Sequence, residues 1–327
     1  MACFRPQVLR FDTMSSDGKR RYKFLYDWDQ SFEEFWRCLP RYQQKLYVKV
    51  PCGRCSGCRM DYAKSWSNRL MMENIYHDSS WFITLTYDND NCPMSDDLMH
   101  YTLRKCDWQL FMKRLRESQD KLYGRKLRFL ACGEYGGNTF RPHYHAIIFG
   151  LQLEDLVKCG VSGSGFTLFK SDYLASIWKN GMVEVGVVTS GSCAYVARYV
   201  VKKNSQGSNE DYAAFGIEPE FILMSRKPGL GYQYFMDHYD KIYDSDKIYL
   251  KSDLGGSVIR PPRAFDKLMN DIDPFLLDNV KQQRLINAND AHVLSEMKSE
   301  LSYRDQLAVK ERIFESKTKI MKGRDFI

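Results

Sequence analysis

His143 and His145 flank a single residue at the head of an apolar run, and Tyr195 and Tyr199 stand four apart further along the chain. In a β-strand alternate side chains share a face, so both imidazoles aim the same way while Tyr144 points to the opposite face. Glu134 closes the segment just before the histidines and supplies a carboxylate, with Asp88 as a competing candidate for the same place. Two imidazoles and a carboxylate with open coordination positions suit Mg²⁺ or Mn²⁺ bridging a phosphate oxygen, and imidazole favours Mn²⁺ of the two.

Tyr195, Tyr199 and Lys202 follow spacings of four and three, which place them on one helical face. A phenol titrates near pH 10, so at neutral pH it attacks phosphorus only with help from a cation on the phosphate and a nearby positive side chain. Lys202 can provide that charge, supported by Arg198 or Lys203, while Val196, Val200 and Val201 pack the helix on a sheet. Each motif by itself also suits a plain structural element; it is their conjunction that points to cleavage and rejoining of a phosphodiester.

A third cluster is Cys52, Cys55 and Cys58, spaced C-x2-C-x2-C, with Cys3 able to fold back as a fourth thiolate and Cys38 as its alternate. Tetrahedral thiolate ligation favours a structural Zn²⁺, with an iron–sulfur cluster as the second reading. Cys92, Cys106, Cys132, Cys159 and Cys193 are scattered and read as small apolar residues.

The elements that must position these groups follow from periodicity. Asp61 to Ile75 reads as a helix, Trp81 to Tyr87 as a strand, and Thr102 to Tyr123 as a long helix. Leu127 to Glu134 and His143 to Phe149 read as an antiparallel hairpin around a loop containing Gly136, Gly137 and Pro142. Tyr173 to Trp178 reads as a helix, Gly181 to Val188 as a strand, and Ser192 to Lys203 as a helix capped by Ser192. This order predicts an α+β, ferredoxin-like or RRM-like core with a central antiparallel sheet and flanking helices. Residues 1–50 read as irregular apart from a strand-like Lys45 to Val50. The expected organisation is a segment 1–60 carrying the cysteines, a catalytic core 61–245, and a helical basic extension 246–327 beginning near Gly255, Gly256, Pro261 and Pro262.

The bulk composition fits a soluble globular chain: 327 residues, 44% hydrophobic and 27% charged, with no apolar run long enough for a membrane span. The N-terminus lacks an apolar signal core, so the chain is expected in the cytoplasm with reduced thiols. A formal charge of +7 and 14% aromatic residues suit a single-stranded nucleic acid, held by phosphate attraction and base stacking. Arg125, Lys126, Arg128, Arg226 and Lys227 are candidate backbone contacts.

Taken together, the motifs resemble the HUH endonuclease superfamily, and within it the rolling-circle replication initiators of gokushovirus-type microviruses. Phe82-Ile83-Thr84-Leu85-Thr86-Tyr87 resembles the first strand motif, Arg141-Pro142-His143-Tyr144-His145 the metal motif, and Tyr195 to Lys202 the paired-tyrosine motif. Pro51 to Arg59, Gly133 to Gly136 and Ser225 to Gly231 match further, so that the likeness spans residues 45–235. The resemblance implies that one tyrosine attacks the origin strand, forms a 5′-phosphotyrosyl bond and frees a 3′-hydroxyl to prime a DNA polymerase. The second tyrosine then ends the round and lets the displaced strand close. It implies no need for ATP, a host helicase for unwinding, and the cytoplasm of a bacterial host as location. Alternatives are a transposase or plasmid initiator of the same superfamily, or a zinc-stabilised DNA-binding regulator without catalysis, which leaves Glu134, both histidines and both tyrosines unexplained.

Overall fold

The computed structural model describes residues 3–16, 20–27, 30–44, 46–137, 139–163, 165–202, 209–252 and 255–322. In chain order the first elements are β1 (Gln7–Met14), β2 (Arg20–Asp27), α1 (Gln30–Cys38), α2 (Arg41–Gln44), β3 (Tyr47–Val50) and α3 (Ser56–Asn74). There follow β4 (Ser80–Tyr87), α4 (Lys105–Tyr123), β5 (Arg128–Tyr135), β6 (Pro142–Phe149), β7 (Val157–Val161), β8 (Thr167–Lys170), α5 (Asp172–Trp178), β9 (Gly181–Val187) and α6 (Ser190–Lys202). The last are α7 (Asn209–Ala214), β10 (Phe221–Met224), α8 (Tyr232–Ser245), β11 (Ile248–Ser252), β12 (Gly255–Ile259), α9 (Arg263–Ile272), α10 (Pro274–Met297) and α11 (Tyr303–Lys322). The chain divides into two units, residues 63–277 and residues 1–62 with 278–326.

The larger unit is built on a seven-stranded sheet of order β10-β5-β6-β4-β9-β8-β7, antiparallel at every pairing. Leaving aside the β7–β8 hairpin, the sequence β4-α4-β5-β6-α5-β9 with sheet order β5-β6-β4-β9 is the ferredoxin-like arrangement. Alternation along β4 explains why the sheet has two distinct faces. Ile83, Leu85 and Tyr87 are buried against one layer of helices, whereas Phe82, Thr84 and Thr86 turn to the other side.

On the first face, Trp108, Phe111, Met112 and Leu115 of α4 join Leu174, Ile177 and Trp178 of α5 in one core. On the second, Leu70 of α3 and Val196 and Val200 of α6 pack over Leu130, Cys132, Ile147 and Phe149. Removing each such side chain from water contributes about 1.5 to 3 kcal/mol, which is what presses α6 onto the sheet. The helix starts one turn earlier than its expected Ser192 cap. Thr189 Oγ1 accepts from Ser192 N at 3.1 Å and Ser192 Oγ accepts from Thr189 N at 2.8 Å, a reciprocal box that moves the cap to Thr189.

In the smaller unit β1 pairs with both β2 and β3, so residues 1–50 hold a sheet where periodicity suggests irregular chain. Register shifts at Val8/Leu9 and Phe11/Thr13 break the alternation that would have revealed β1. Val8 and Phe32 form a small core with Trp36, Tyr47 and Tyr303. Helix α11 belongs to this unit: Lys49 Nζ lies 3.6 Å from the Tyr303 ring centroid, and Phe4 meets Phe314 at 5.5 Å.

Gly181 opens β9 beside the end of β4 at φ 145°, and a Cβ there would overlap Asp88 N and Thr86 O. Gly181→Ala is expected to lower the unfolding free energy by about 2 kcal/mol or more in urea titrations. An unchanged midpoint would show that this strand junction does not depend on the glycine.

Candidate active site

The registers on either side of β6 assemble the site. Across β5–β6, Glu134 faces His143 and Cys132 faces His145; across β4–β6, Thr86 faces His143 and Thr84 faces His145. All six side chains therefore stand on the face that α6 covers. Tyr144, between the histidines, points into the opposite core, where its hydroxyl meets Tyr87 Oη at 2.7 Å and donates to Arg104 O at 2.9 Å.

Both imidazoles use Nδ1 on a threonine: His145 Nδ1 lies 3.0 Å from Thr84 Oγ1 and His143 Nδ1 lies 3.1 Å from Thr86 Oγ1. This leaves the Nε2 side of each ring for other partners. His145 Nε2 contacts Glu134 Oε1 at 2.9 Å, both residues being buried. The two rings stack at 6.3 Å between centroids, inclined by 23°. Gly136 leaves room at the second ring, since a Cβ there would stand 3.1 Å from His143 Nε2. Burial, with the neighbouring His145 adding to it, holds the His143 pKa below its ordinary value, so this ring is neutral as a metal ligand must be.

The donor set of two imidazole nitrogens and one carboxylate fits a hard or borderline divalent cation. It is more open than the cysteine cluster. Among the described residues, only the cysteines bring three or more candidate donor atoms within 4.8 Å of one another. Asp88, the alternative carboxylate, is used elsewhere: it is half-buried and accepts from Asn91 N at 2.8 Å and Asn91 Nδ2 at 2.9 Å.

Tyr195 and Tyr199 lie over this set. Their rings stand 5.3 Å and 5.9 Å from the His145 ring, the first edge-on and the second stacked. Tyr199 Oη donates to Tyr195 Oη at 2.7 Å, and the Arg198 guanidinium lies 5.8 Å from the Tyr195 ring centroid. Burial pushes the Tyr195 phenol up to about 12, against the stabilising bond from Tyr199. Burial and the Glu134 charge push the Tyr199 phenol up further still. Both phenols are therefore fully protonated at neutral pH. Lys202 ends α6 three residues beyond Tyr199, and Lys203 lies outside the described residues.

The cysteine cluster is in the smaller unit, where the sulfurs of Cys3, Cys52, Cys55 and Cys58 all lie within 4.8 Å of one another. Gly53, at φ 74°, turns the chain so that Arg54 N and Cys55 N donate to Cys52 Sγ at 3.4 and 3.3 Å. Cys52 N donates to Cys3 Sγ at 3.3 Å and Phe4 N to Cys55 Sγ at 3.4 Å. Burial raises the Cys3 thiol to about 11. At Cys55 burial acts in the same sense but is outweighed by the N–H groups of Cys58 and Phe4, which hold the thiol at about 7. Cys38 is exposed on α1 and is not among the four.

Of the candidate DNA contacts, Arg226 and Lys227 are exposed on the segment after β10. Arg128 is occupied instead within the fold: it pairs with the buried Glu73 and donates to Pro228 O at 2.9 Å. Glu73 also accepts from Gly231 N at 2.6 Å, and Arg69 Nη2 donates to Leu230 O at 3.0 Å, so this segment is pinned from below. Thr84, Thr86 and Gly136 are site residues whose roles sequence reasoning missed. Their signal was the alternation of threonines within the strand motif, which acquires meaning only with the register.

The elements from β4 to the end of α6 coincide with a match over residues 80–204 to the family model of replication-associated proteins of the ORF2 type. The sheet, the histidine hairpin and the tyrosine helix thus define a replication-associated protein. The chain is 31% identical over 326 residues to the replication-associated protein ORF2 of Spiroplasma virus 4, covering 95% of this chain and 94% of that one. It is 31% identical to the replication-associated protein VP4 of Bdellovibrio phage phiMH2K over 64% of this chain and 65% of that one. With the replication-associated protein ORF4 of Chlamydia phage 1 the identity is 33%, over 67% of this chain and 53% of that one. The chain belongs to this family of phage replication-associated proteins, the gokushovirus-type microvirus group that its motifs resemble. No solved structure matches it. Among the described residues no helix is long and apolar enough to cross a membrane.

The raised phenols make an alkaline prediction. Between pH 10 and the native pKa values, the unfolded chain has lost phenol protons that the folded chain keeps, so stability is full below about pH 10 and falls as pH rises above it. Replacing both Tyr195 and Tyr199 with Phe is expected to make that fall shallower in urea unfolding measured from about pH 8 to about pH 11. An identical slope would contradict the burial of these hydroxyls.

Proposed function

We propose that the chain is a metal-dependent, site-specific single-stranded DNA endonuclease and strand transferase that starts and ends rolling-circle replication of a small phage genome. The observation that carries this reading is the pair of tyrosine hydroxyls, bonded to each other at 2.7 Å over the His145–Glu134 pair. His143, His145 and Glu134 would hold Mg²⁺ or Mn²⁺, which supplies Lewis acidity to a phosphate oxygen and favours the phenolate form nearby. One tyrosine Oη forms a bond to phosphorus as its proton leaves, and the bond from phosphorus to the 3′-oxygen breaks. The products are a 5′-phosphotyrosyl bond and a free 3′-hydroxyl. One ester replaces another, so no nucleotide hydrolysis is required, and the second tyrosine can repeat the exchange when the origin is regenerated. Lys202, with Arg198 or Lys203, offsets the charge that develops on phosphate, while Arg226 and Lys227 hold the strand. A host polymerase extends the 3′-hydroxyl and a host helicase unwinds the template, in the cytoplasm of the bacterial host.

The test is incubation of the protein with single-stranded oligonucleotides tiling the origin in the presence of Mn²⁺. A covalent protein–DNA adduct is expected, retained by one single Tyr→Phe variant at least, abolished in the double Tyr195→Phe/Tyr199→Phe variant, and lost with His143→Ala. Binding without an adduct across the whole origin would sink the reading in favour of a regulator.

We further propose a structural Zn²⁺ at Cys3, Cys52, Cys55 and Cys58. Four sulfurs within reach of one another, with backbone N–H groups donating to those of Cys3, Cys52 and Cys55, suit a closed tetrahedral site. Metal analysis of the purified chain is expected to find zinc that Cys58→Ser loses and Cys38→Ser keeps, with a lower thermal midpoint in the former. Visible absorbance of an iron–sulfur cluster, or zinc retained in Cys58→Ser, would overturn the assignment.

A further inference from the structure

The two threonines behind the histidines have a property that few other side chains at those positions would supply. A hydroxyl both donates and accepts, whereas a carboxylate or carbonyl only accepts and an ammonium or indole only donates. His145 needs both behaviours in turn. With Nε2 at 2.9 Å from the Glu134 carboxylate, the neutral ring carries its proton on Nε2, and Nδ1 accepts from Thr84 Oγ1 across 3.0 Å. A cation on Nε2 requires the ring proton to stand on Nδ1, where Thr84 Oγ1 becomes the acceptor. His143 Nδ1 likewise lies 3.1 Å from Thr86 Oγ1, so that hydroxyl can serve either tautomer of the second ring. Both threonines sit on a central strand, directly opposite their histidines in register, so neither ring can turn without breaking the pairing.

We propose that Thr84 and Thr86 are positioning residues: their hydroxyls hold the two imidazoles in place through the change of tautomer that accompanies cation binding. The ring proton moves from Nε2 to Nδ1 by exchange with solvent and the threonine hydroxyl reverses from donor to acceptor, so the ring keeps one proton and its threonine hydrogen bond, while the Nε2–H bond to Glu134 gives way to the cation. This inference rests on the cation reading above and adds to it the residues that make the ligand set loadable. Without the hydroxyl, the metal-competent tautomer would bury an unpartnered Nδ1–H beside a methyl group.

The experiment is calorimetric titration of the whole chain with Mn²⁺ alone, without DNA, for wild type, Thr84→Val, Thr86→Val and the matching Ser variants. Valine keeps the branched shape that suits the strand, and serine keeps the hydroxyl without the methyl. Each Val variant is expected to bind Mn²⁺ about 10- to 100-fold more weakly, and each Ser variant within a few-fold of wild type. Nitrogen-15 spectra of the histidines, recorded with diamagnetic Mg²⁺ or Zn²⁺ in place of Mn²⁺, should show the ring proton passing from Nε2 to Nδ1 on loading. Wild-type affinity in the Val variants, equal losses in Ser and Val, or an unchanged tautomer would each overturn the proposal. A wild-type chain that takes up no Mn²⁺ would defeat the cation reading itself, whereas intact uptake in the Val variants defeats only this inference.

Discussion

The constraint on which the site depends is the register of β6 against its two neighbours. Pairing Glu134 with His143 on one side and Thr86 with His143 on the other fixes carboxylate, imidazole and hydroxyl in one line across three strands. The line formed by Cys132, His145 and Thr84 lies alongside it. Because side chains alternate, a slip of one residue would send both histidines into the core now filled by Tyr144 and would expose Tyr144 in their place. The opposite face guards against that slip. Tyr144 is fully buried among Trp108, Trp178 and Phe221, and its hydroxyl is bonded to Tyr87 and the Arg104 backbone. The residue that separates the histidines thus does as much to place them as any group on their own side.

Covering the same face with α6 brings Tyr195 and Tyr199 over His145 and Glu134, at an electrostatic cost. Burial and the Glu134 charge oppose ionisation of both phenols, and this disfavours attack at neutral pH until the local charge is changed. Such an arrangement suits a protein that must not cleave indiscriminately. On the endonuclease reading proposed above, a cation held beside them would be what favours the phenolate form. The hydrogen bond between the two hydroxyls makes them unequal, since Tyr199 donates and Tyr195 accepts.

Much of this was legible in the sequence because the determining signals are local. The alternation of β4, the hairpin around Gly136 and Pro142, and the four-residue tyrosine spacing each lie within a short window, and the ferredoxin-like order follows from them. What escaped depends on contacts between distant segments or on irregular strands. β1 is broken by register shifts, β7 is short and largely exposed, β8 is a half-buried strand of four residues, and β10 is a four-residue strand recognisable only beside β5. The packing of α11 with β3 joins Lys49 to Tyr303 across most of the chain length. In the sequence Arg128 reads as a candidate DNA-backbone contact because its partner Glu73 lies on another element, α3. The threonines were visible as residues but not as partners, since their role exists only in the paired register.

The most direct test of the metal site is the location of a bound cation by anomalous diffraction from crystals grown with Mn²⁺. The register predicts one anomalous peak contacted by Nε2 of His143, Nε2 of His145 and the Glu134 carboxylate, beneath Tyr195 and Tyr199. A peak held by Asp88, or none between the two histidines in Mn²⁺-saturated crystals, would contradict it.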